Sequence, residues 1–138
     1  MRHLAKRLNF YILMSVVVAS LGSVGVVHAQ NTRRLTGTYT NMSFHKEGWQ
    51  ILGEEIRIVL TQKGYQGALQ FSDGAPGELV VVDLVAVGTT ISFAIPDTSS
   101  HAGQFTGTLE NGLLKGEFRF KAGVSRSVEL WKGKSYWD

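Results

Sequence analysis

The chain has 138 residues, no cysteine, 16 glycines and only 18% charged residues. Without cysteine it has no disulfide, no thiolate nucleophile and no thiolate metal site. The formal charge of +3 is uneven: three of the fourteen basic residues, Arg2, Lys6 and Arg7, sit at the start, and the rest of the chain carries eleven basic against eleven acidic residues. That balance removes the electrostatic motive for binding nucleic acid or acidic membranes.

The first element in chain order is a leader. Behind the positive start, Phe10 to Val27 is an apolar run diluted by Ser15, Ser20, Gly22, Ser23 and Gly25. Val27 and Ala29 then place small residues at the spacing that precedes a cut. The pattern predicts a signal peptide over residues 1–29, cleaved after Ala29. The alternative is an uncleaved anchor, since the run is nearly long enough to span a bilayer. Interruption by Ser and Gly and the cleavage pattern favour the leader. The protein is thus expected to be exported, periplasmic or secreted, with no membrane span after cleavage. Residues 30–138 form one domain, large enough for a single core. The Asn41-Met42-Ser43 triplet matches the glycosylation pattern, which matters only in a eukaryotic secretory pathway.

From Arg34 onward the pattern is period two, rich in Val, Ile, Thr and Phe and broken by Gly or Pro. It predicts strands at Arg34–Thr40, Glu54–Thr61, Gly64–Phe71, Glu78–Val87, Thr90–Ile95, Gly103–Leu109, Leu113–Phe120 and Ser125–Trp131. A short helical turn around Ser43–Gln50 is the only helical feature expected. Three connections read as tight. Lys63-Gly64 sets Leu60 opposite Gly67, Gly88-Thr89 sets Leu84 opposite Phe93, and Asn111-Gly112 sets Phe105 opposite Phe118. Asn-Gly is the strongest of these signals. The connections Asn41–Gly53, Ser72–Gly77 and Pro96–Ala102 are long and fall at the other end, with the short Ala122–Val124.

Short antiparallel strands with one oily face predict an all-β, eight-stranded, up-and-down barrel, whose closure removes exposed edges. The inward set is Tyr39, Ile56, Ile58, Leu60, Leu69, Phe71, Val80, Val82, Leu84, Ile91, Phe93, Ile95, Phe105, Leu109, Leu114, Phe118, Val128 and Leu130. Gly37, Gly67, Gly107 and Gly116 share that face. They read as kinks that let the sheet curl, or as floor space for a ligand. An outer-membrane barrel is excluded, because it turns oil outward on strands of about ten residues. Here Thr36, Thr38, Gln66, Gln70, Lys115, Glu117 and Arg119 face out.

The segment GTYTNMS, Gly37–Ser43, resembles the start of avidin-like chains, within the avidin and lipocalin group of small barrels, the calycins. The resemblance implies a lipocalin-like or avidin-like barrel. It also implies that Asn41 and Ser43 contact a ligand in the mouth. The family's ring of ligand-facing tryptophans does not follow in this chain. The Gly-x-aromatic or Gly-x-Leu strand pattern also resembles that of small exported bacterial proteins.

A search for chemistry yields little. His45 and His101 could meet at one rim with Asp73, Asp97 and Glu47, but no spacing supports a metal site. Ser, Asp and His occur in Ser72–Gly77 and Pro96–Gly103, where they read as turn residues, and no GxSxG is present. Glu54 and Glu55 point to opposite sides of one strand, so they form no dyad. With Ala122–Val124 as a three-residue turn, Arg126 lies opposite Phe120 and points inward near the long-loop end. There it snorkels out of the mouth or anchors a ligand carboxylate.

Val81 and Val85, with Leu79 and Val87, make strand four apolar on its outer face too. This marks a contact with a protein partner, a homodimer, or cover by the aromatic tail. The expected function is non-enzymatic, with no cofactor implied: binding of a small apolar or amphipathic ligand in the mouth, lined by Tyr39, Asn41, Ser43, Trp49, Phe93, Phe120 and Arg126. The alternative is a protein-interaction module or inhibitor acting through loops 41–53 and 96–102. The two part on whether Phe71, Phe93, Phe105, Phe118 and Phe120 fill the interior.

Overall fold

A computed structural model describes residues 35–138; the expected signal peptide lies outside them. The strands are β1 (Gly37–Thr40), β2 (Ser43–His45), β3 (Gln50–Thr61), β4 (Gly64–Gly74), β5 (Pro76–Val87), β6 (Thr90–Ile95), β7 (Gly103–Glu110), β8 (Leu113–Phe120) and β9 (Ser125–Gly133). Each strand from β3 to β9 pairs with its neighbours in sequence, and β1 pairs with both β9 and β3, which closes the sheet. β1 and β2 follow one register against β3, with Thr40 opposite Glu55 and Ser43 opposite Leu52. They act as one interrupted strand, so the barrel is eight-stranded, antiparallel and up-and-down.

The interruption has a local cause. Glu54 N–H donates to the side-chain oxygen of Asn41 at 2.7 Å, while Asn41 N–H donates to the Glu54 carbonyl at 3.1 Å. The amide of Asn41 replaces one backbone rung. Beyond it the expected helical turn around Ser43–Gln50 is instead a hairpin, β2 and β3 joined through Lys46–Trp49.

At Asn111-Gly112 both turn residues have positive φ, 50° and 77°, as a two-residue hairpin turn requires. Phe105 faces Phe118, Gly107 faces Gly116 and Leu109 faces Leu114, as the turn chemistry implies. Gly88-Thr89 also holds, with Ala86 opposite Ile91 and Leu84 opposite Phe93.

Two turns lie one residue earlier than expected. The β3–β4 turn is Gln62-Lys63, so Ile58, not Leu60, faces Gly67. The Thr61 hydroxyl accepts the Lys63 N–H and donates to the Gly64 carbonyl, which fixes the turn there. The β8–β9 turn is Lys121–Gly123, closed by Phe120 N–H on the Val124 carbonyl with Gly123 at φ 89°. Arg126 therefore faces Phe118, not Phe120. Each shift moves the cross-strand partner by two positions, so no side chain changes face.

The expected long loop Ser72–Gly77 is also corrected. Ser72 pairs with Pro76, and the register slips between Gln70 and Ser72, where Gly77 and Glu78 together oppose Phe71. This is a bulge, and it carries the hairpin nearly to its tip.

All but two of the expected inward residues are buried. Leu109 is half-buried, and Leu60 is 54% exposed because it lies on the last rung but one, beside the tight turn. Leu35, from just before β1, joins the core, and the Tyr39 hydroxyl donates to its carbonyl at 2.9 Å.

The facing glycines carry one ring. A Cβ built on Gly107 would lie 2.7 Å from the Phe105 ring tip and 2.5 Å from the Lys115 carbonyl. On Gly116 it would lie 2.6 Å from the same ring atom. The tip of the Phe105 ring lies over both backbones, an aromatic cover for a glycine pair.

Candidate functional site

Within the largely aliphatic core, four phenylalanines pack together. Phe105 stacks on Phe93 at 4.9 Å, Phe118 tilts against Phe105 at 4.9 Å, and Phe71 meets Phe118 edge-on at 5.1 Å. Phe120 lies half-buried above, its ring parallel to Phe118 at 5.8 Å. These side chains occupy the upper interior, as alternating inward positions of a small barrel do.

Over them lies a polar network drawn from four strands and a loop. Glu54 on β3, 3% exposed, accepts from Arg126 on β9 at 2.5 Å. Arg126 also lies 3.6 Å from Asp73 on β4 and 5.4 Å above the Phe120 ring. Asp73 pairs in turn with His101 Nε2 at 2.9 Å, and the His101 ring stacks on Phe71 at 4.3 Å. The loop bearing His101 is tied down by Glu78, which accepts from the Ser99 hydroxyl at 2.6 Å and the Ser100 N–H at 3.0 Å. Those bonds, Ser99 foremost, hold the Glu78 carboxyl below its ordinary range. The aromatic cluster thus ends in a cap of paired charges.

The expected mouth residues separate into three groups. Tyr39 and Phe93 are buried in the core, and burial pushes the Tyr39 hydroxyl up to about 12. Asn41, Phe120 and Arg126 belong to the rung and cap just described. Ser43 and Trp49 sit on the β2–β3 hairpin at the rim, and both are exposed. There the Ser43 hydroxyl lies 2.9 Å from His45 Nε2.

Trp49 is 84% exposed and has φ 52°. Phe44, also exposed, meets it edge-on at 5.9 Å. The sequence placed Trp49 in the expected long loop Asn41–Gly53, which also holds Phe44. The bonded hairpin that displays both aromatics was not expected, because β2 is three residues long and has no apolar alternation.

Ser100, His101 and Asp73 stand in the hydrogen-bond order of a hydrolytic triad, with Ser100 Oγ 3.1 Å from His101 Nδ1. Two features argue against that chemistry. The Ser100 N–H, which an oxyanion hole would use, is bonded to Glu78, and the Ser100 hydroxyl lies 3.5 Å from the same carboxylate. The serine sits on a turn rather than a strained elbow. His45 does not join His101, and among the described residues no three of His, Cys, Asp or Glu gather as a metal-ligand set.

On the outer wall, Glu55 accepts from the Ser135 hydroxyl at 2.6 Å and the Tyr136 N–H at 2.8 Å. Trp137 Nε1 donates to Gln70 at 2.9 Å. The tail is therefore a strap from β9 to β4. It stops beside Leu79, the partner of Gln70, and leaves Leu79, Val81, Val85 and Val87 exposed. The expected cover of this stripe by the tail is not what forms.

Comparison with protein-family models, curated proteins and solved structures returned no match.

Proposed function

We propose that the protein is an exported, non-enzymatic recognition module that binds a protein partner through the β2–β3 hairpin, with Phe44 and Trp49 as its anchors. The observation that carries this reading is the aromatic pair itself. Trp49 is displayed almost fully in water, at a positive φ uncommon for a bulky residue. Its neighbour Phe44 is held in register opposite Ile51. Rigid exposed aromatics on a firm scaffold lose little entropy on binding and dominate interface energies. The loop Pro96–Ala102, pinned through Glu78, forms a second fixed part of the same rim.

The ligand reading that the likeness to lipocalin-like barrels suggests has less support. Phe71, Phe93, Phe105 and Phe118 sit where an internal ligand would lie, and the Arg126–Glu54 pair caps them. Export rests on the leader, and amino-terminal sequencing of the released protein is expected to begin at Gln30.

The test is a photo-cross-linking residue at Glu47, in the hairpin turn, introduced in the producing cell. One discrete adduct is expected. Phe44→Ala and Trp49→Ala are each expected to remove it, and each to weaken the isolated pair by about 2 kcal/mol or more. Trp131→Ala, exposed on β9, is the control and leaves the adduct intact. Absence of an adduct, or an adduct that survives both hairpin truncations, overturns the proposal.

A further inference from the structure

We propose that the outer face of β3, β4 and β5 is a contact between two copies of this chain, set in register by reciprocal Arg57–Asp83 ion pairs. β5 is apolar on both sides. Leu79, Val81, Val85 and Val87 alternate outward and are well exposed, and Val59 on β3 extends the surface. A strand that is oily on its solvent side marks a surface that is covered in use. The strap ends at the border of this face, where Trp137 meets Gln70, and does not cover it.

The charges on this face say what does. Two adjacent rows cross the three strands. One holds Arg57, Ala68 and Val81, and the next holds Val59, Gln66 and Asp83. Arg57 and Asp83 are thus opposite corners of one small rectangle, both outward and both exposed. Neither forms an ion pair among the described residues. Among the described residues, Asp83 accepts only the Gln66 amide, at 2.8 Å.

In an isologous contact, if residue i meets j then j meets i. A two-fold axis in the contact plane, crossing the Arg57–Asp83 diagonal over Ala68 and Gln66, sets each Arg57 on the other copy's Asp83. It also sets Val81 near Val81 and Val59 near Val59, while the small Ala68 permits close approach. At these four corners the face is complementary to itself in both charge and oil. An axis along the row through Asp83 would set carboxylate on carboxylate, so the charges select one pairing and reject its neighbour. Residues 30–138 carry balanced charge, so no net repulsion opposes association.

Sedimentation equilibrium of the protein, purified as the expressing cell processes it, tests this. A dimer is expected, and its dissociation constant should rise with salt. Arg57→Asp and Asp83→Arg each place like charges at two sites of the dimer and are expected to weaken it about tenfold or more. Both residues are exposed and outside the core, so the melting temperature of the dissociated variants should stay at the monomer's value. The double variant Arg57→Asp/Asp83→Arg restores opposite charges and is expected to dimerise as the unaltered protein does. A monomeric unaltered protein overturns the proposal, as does a dimer indifferent to the single changes or a double variant that fails to recover. Covering of the face by a different protein would show as the first of these outcomes.

Discussion

Phe105 rests on two glycines because nothing larger leaves room for its ring. Gly107→Val or Gly116→Val would drive a branched side chain into Phe105 and into strand carbonyls 2.5 Å away. Backbone cannot yield as a flexible side chain can, so the cost is expected at or above the roughly 1–3 kcal/mol usual for overpacking. Thr108, one residue on, faces out, and Thr108→Val should change the melting temperature little. Thermal melts of the three variants check the inward face of β7 and β8. Tyr39 offers a second residue-level test. Its hydroxyl is raised to about 12 by burial, so the unfolded chain ionises this tyrosine first. The folded state's advantage is full below about pH 10 and is lost as pH rises through 12. Absorbance titration at alkaline pH should show one late tyrosine that Tyr39→Phe removes.

At the scale of elements, the closing strand β1 is the weak seam, only four residues long and paired with β9 and β3. The strap crosses it from β9 to β4, and the Glu55 carboxylate is its clasp. Glu55→Ala removes two charge-assisted bonds and is expected to lower stability by about 2–3 kcal/mol. Removing residues 134–138 should cost a similar amount, and the two changes together little more than either alone in urea melts. The loop Pro96–Ala102 has its own clasp in Glu78, whose pKa is lowered. Its contribution is complete above the ordinary value of 4.5 and is lost as pH falls through the lowered one. Hydrogen exchange at Ser100 and His101 should accelerate in that acid window, and Glu78→Gln should accelerate it already at neutral pH.

These elements differ in how far the sequence revealed them. Asn111-Gly112 was legible because only residues tolerant of positive φ suit that turn. Gln62-Lys63 was placed one residue late because the Thr61 hydroxyl, not a glycine, sets it. The cap was legible in part: the placement of the long loops brought His101 and Asp73 to one rim, where they pair across 28 positions, but the Arg126–Glu54 pair, 72 positions apart, was illegible. No spacing rule encodes a pair that only barrel closure brings together.

At the scale of the whole molecule, packing lies inside and the proposed recognition outside. Aromatic rings pack inside the barrel, a charge network covers them, and the exposed aromatics lie on a hairpin at the rim. The cap is part of the packing. Arg126→Ala leaves the Glu54 carboxylate buried without its cation and should cost about 2–3 kcal/mol, moderated because the guanidinium is partly in water. Glu54→Gln with Arg126→Met should recover part of that loss. The central claim is that the barrel interior is occupied by the chain's own side chains and that binding belongs to its outer surfaces. Methyl NMR during titration with a long-chain fatty acid tests it most directly. The interior methyls of Ile56, Leu69, Leu84 and Ile91 are expected to keep their chemical shifts throughout. Saturable shifts of those methyls would show a ligand among them and would contradict the claim.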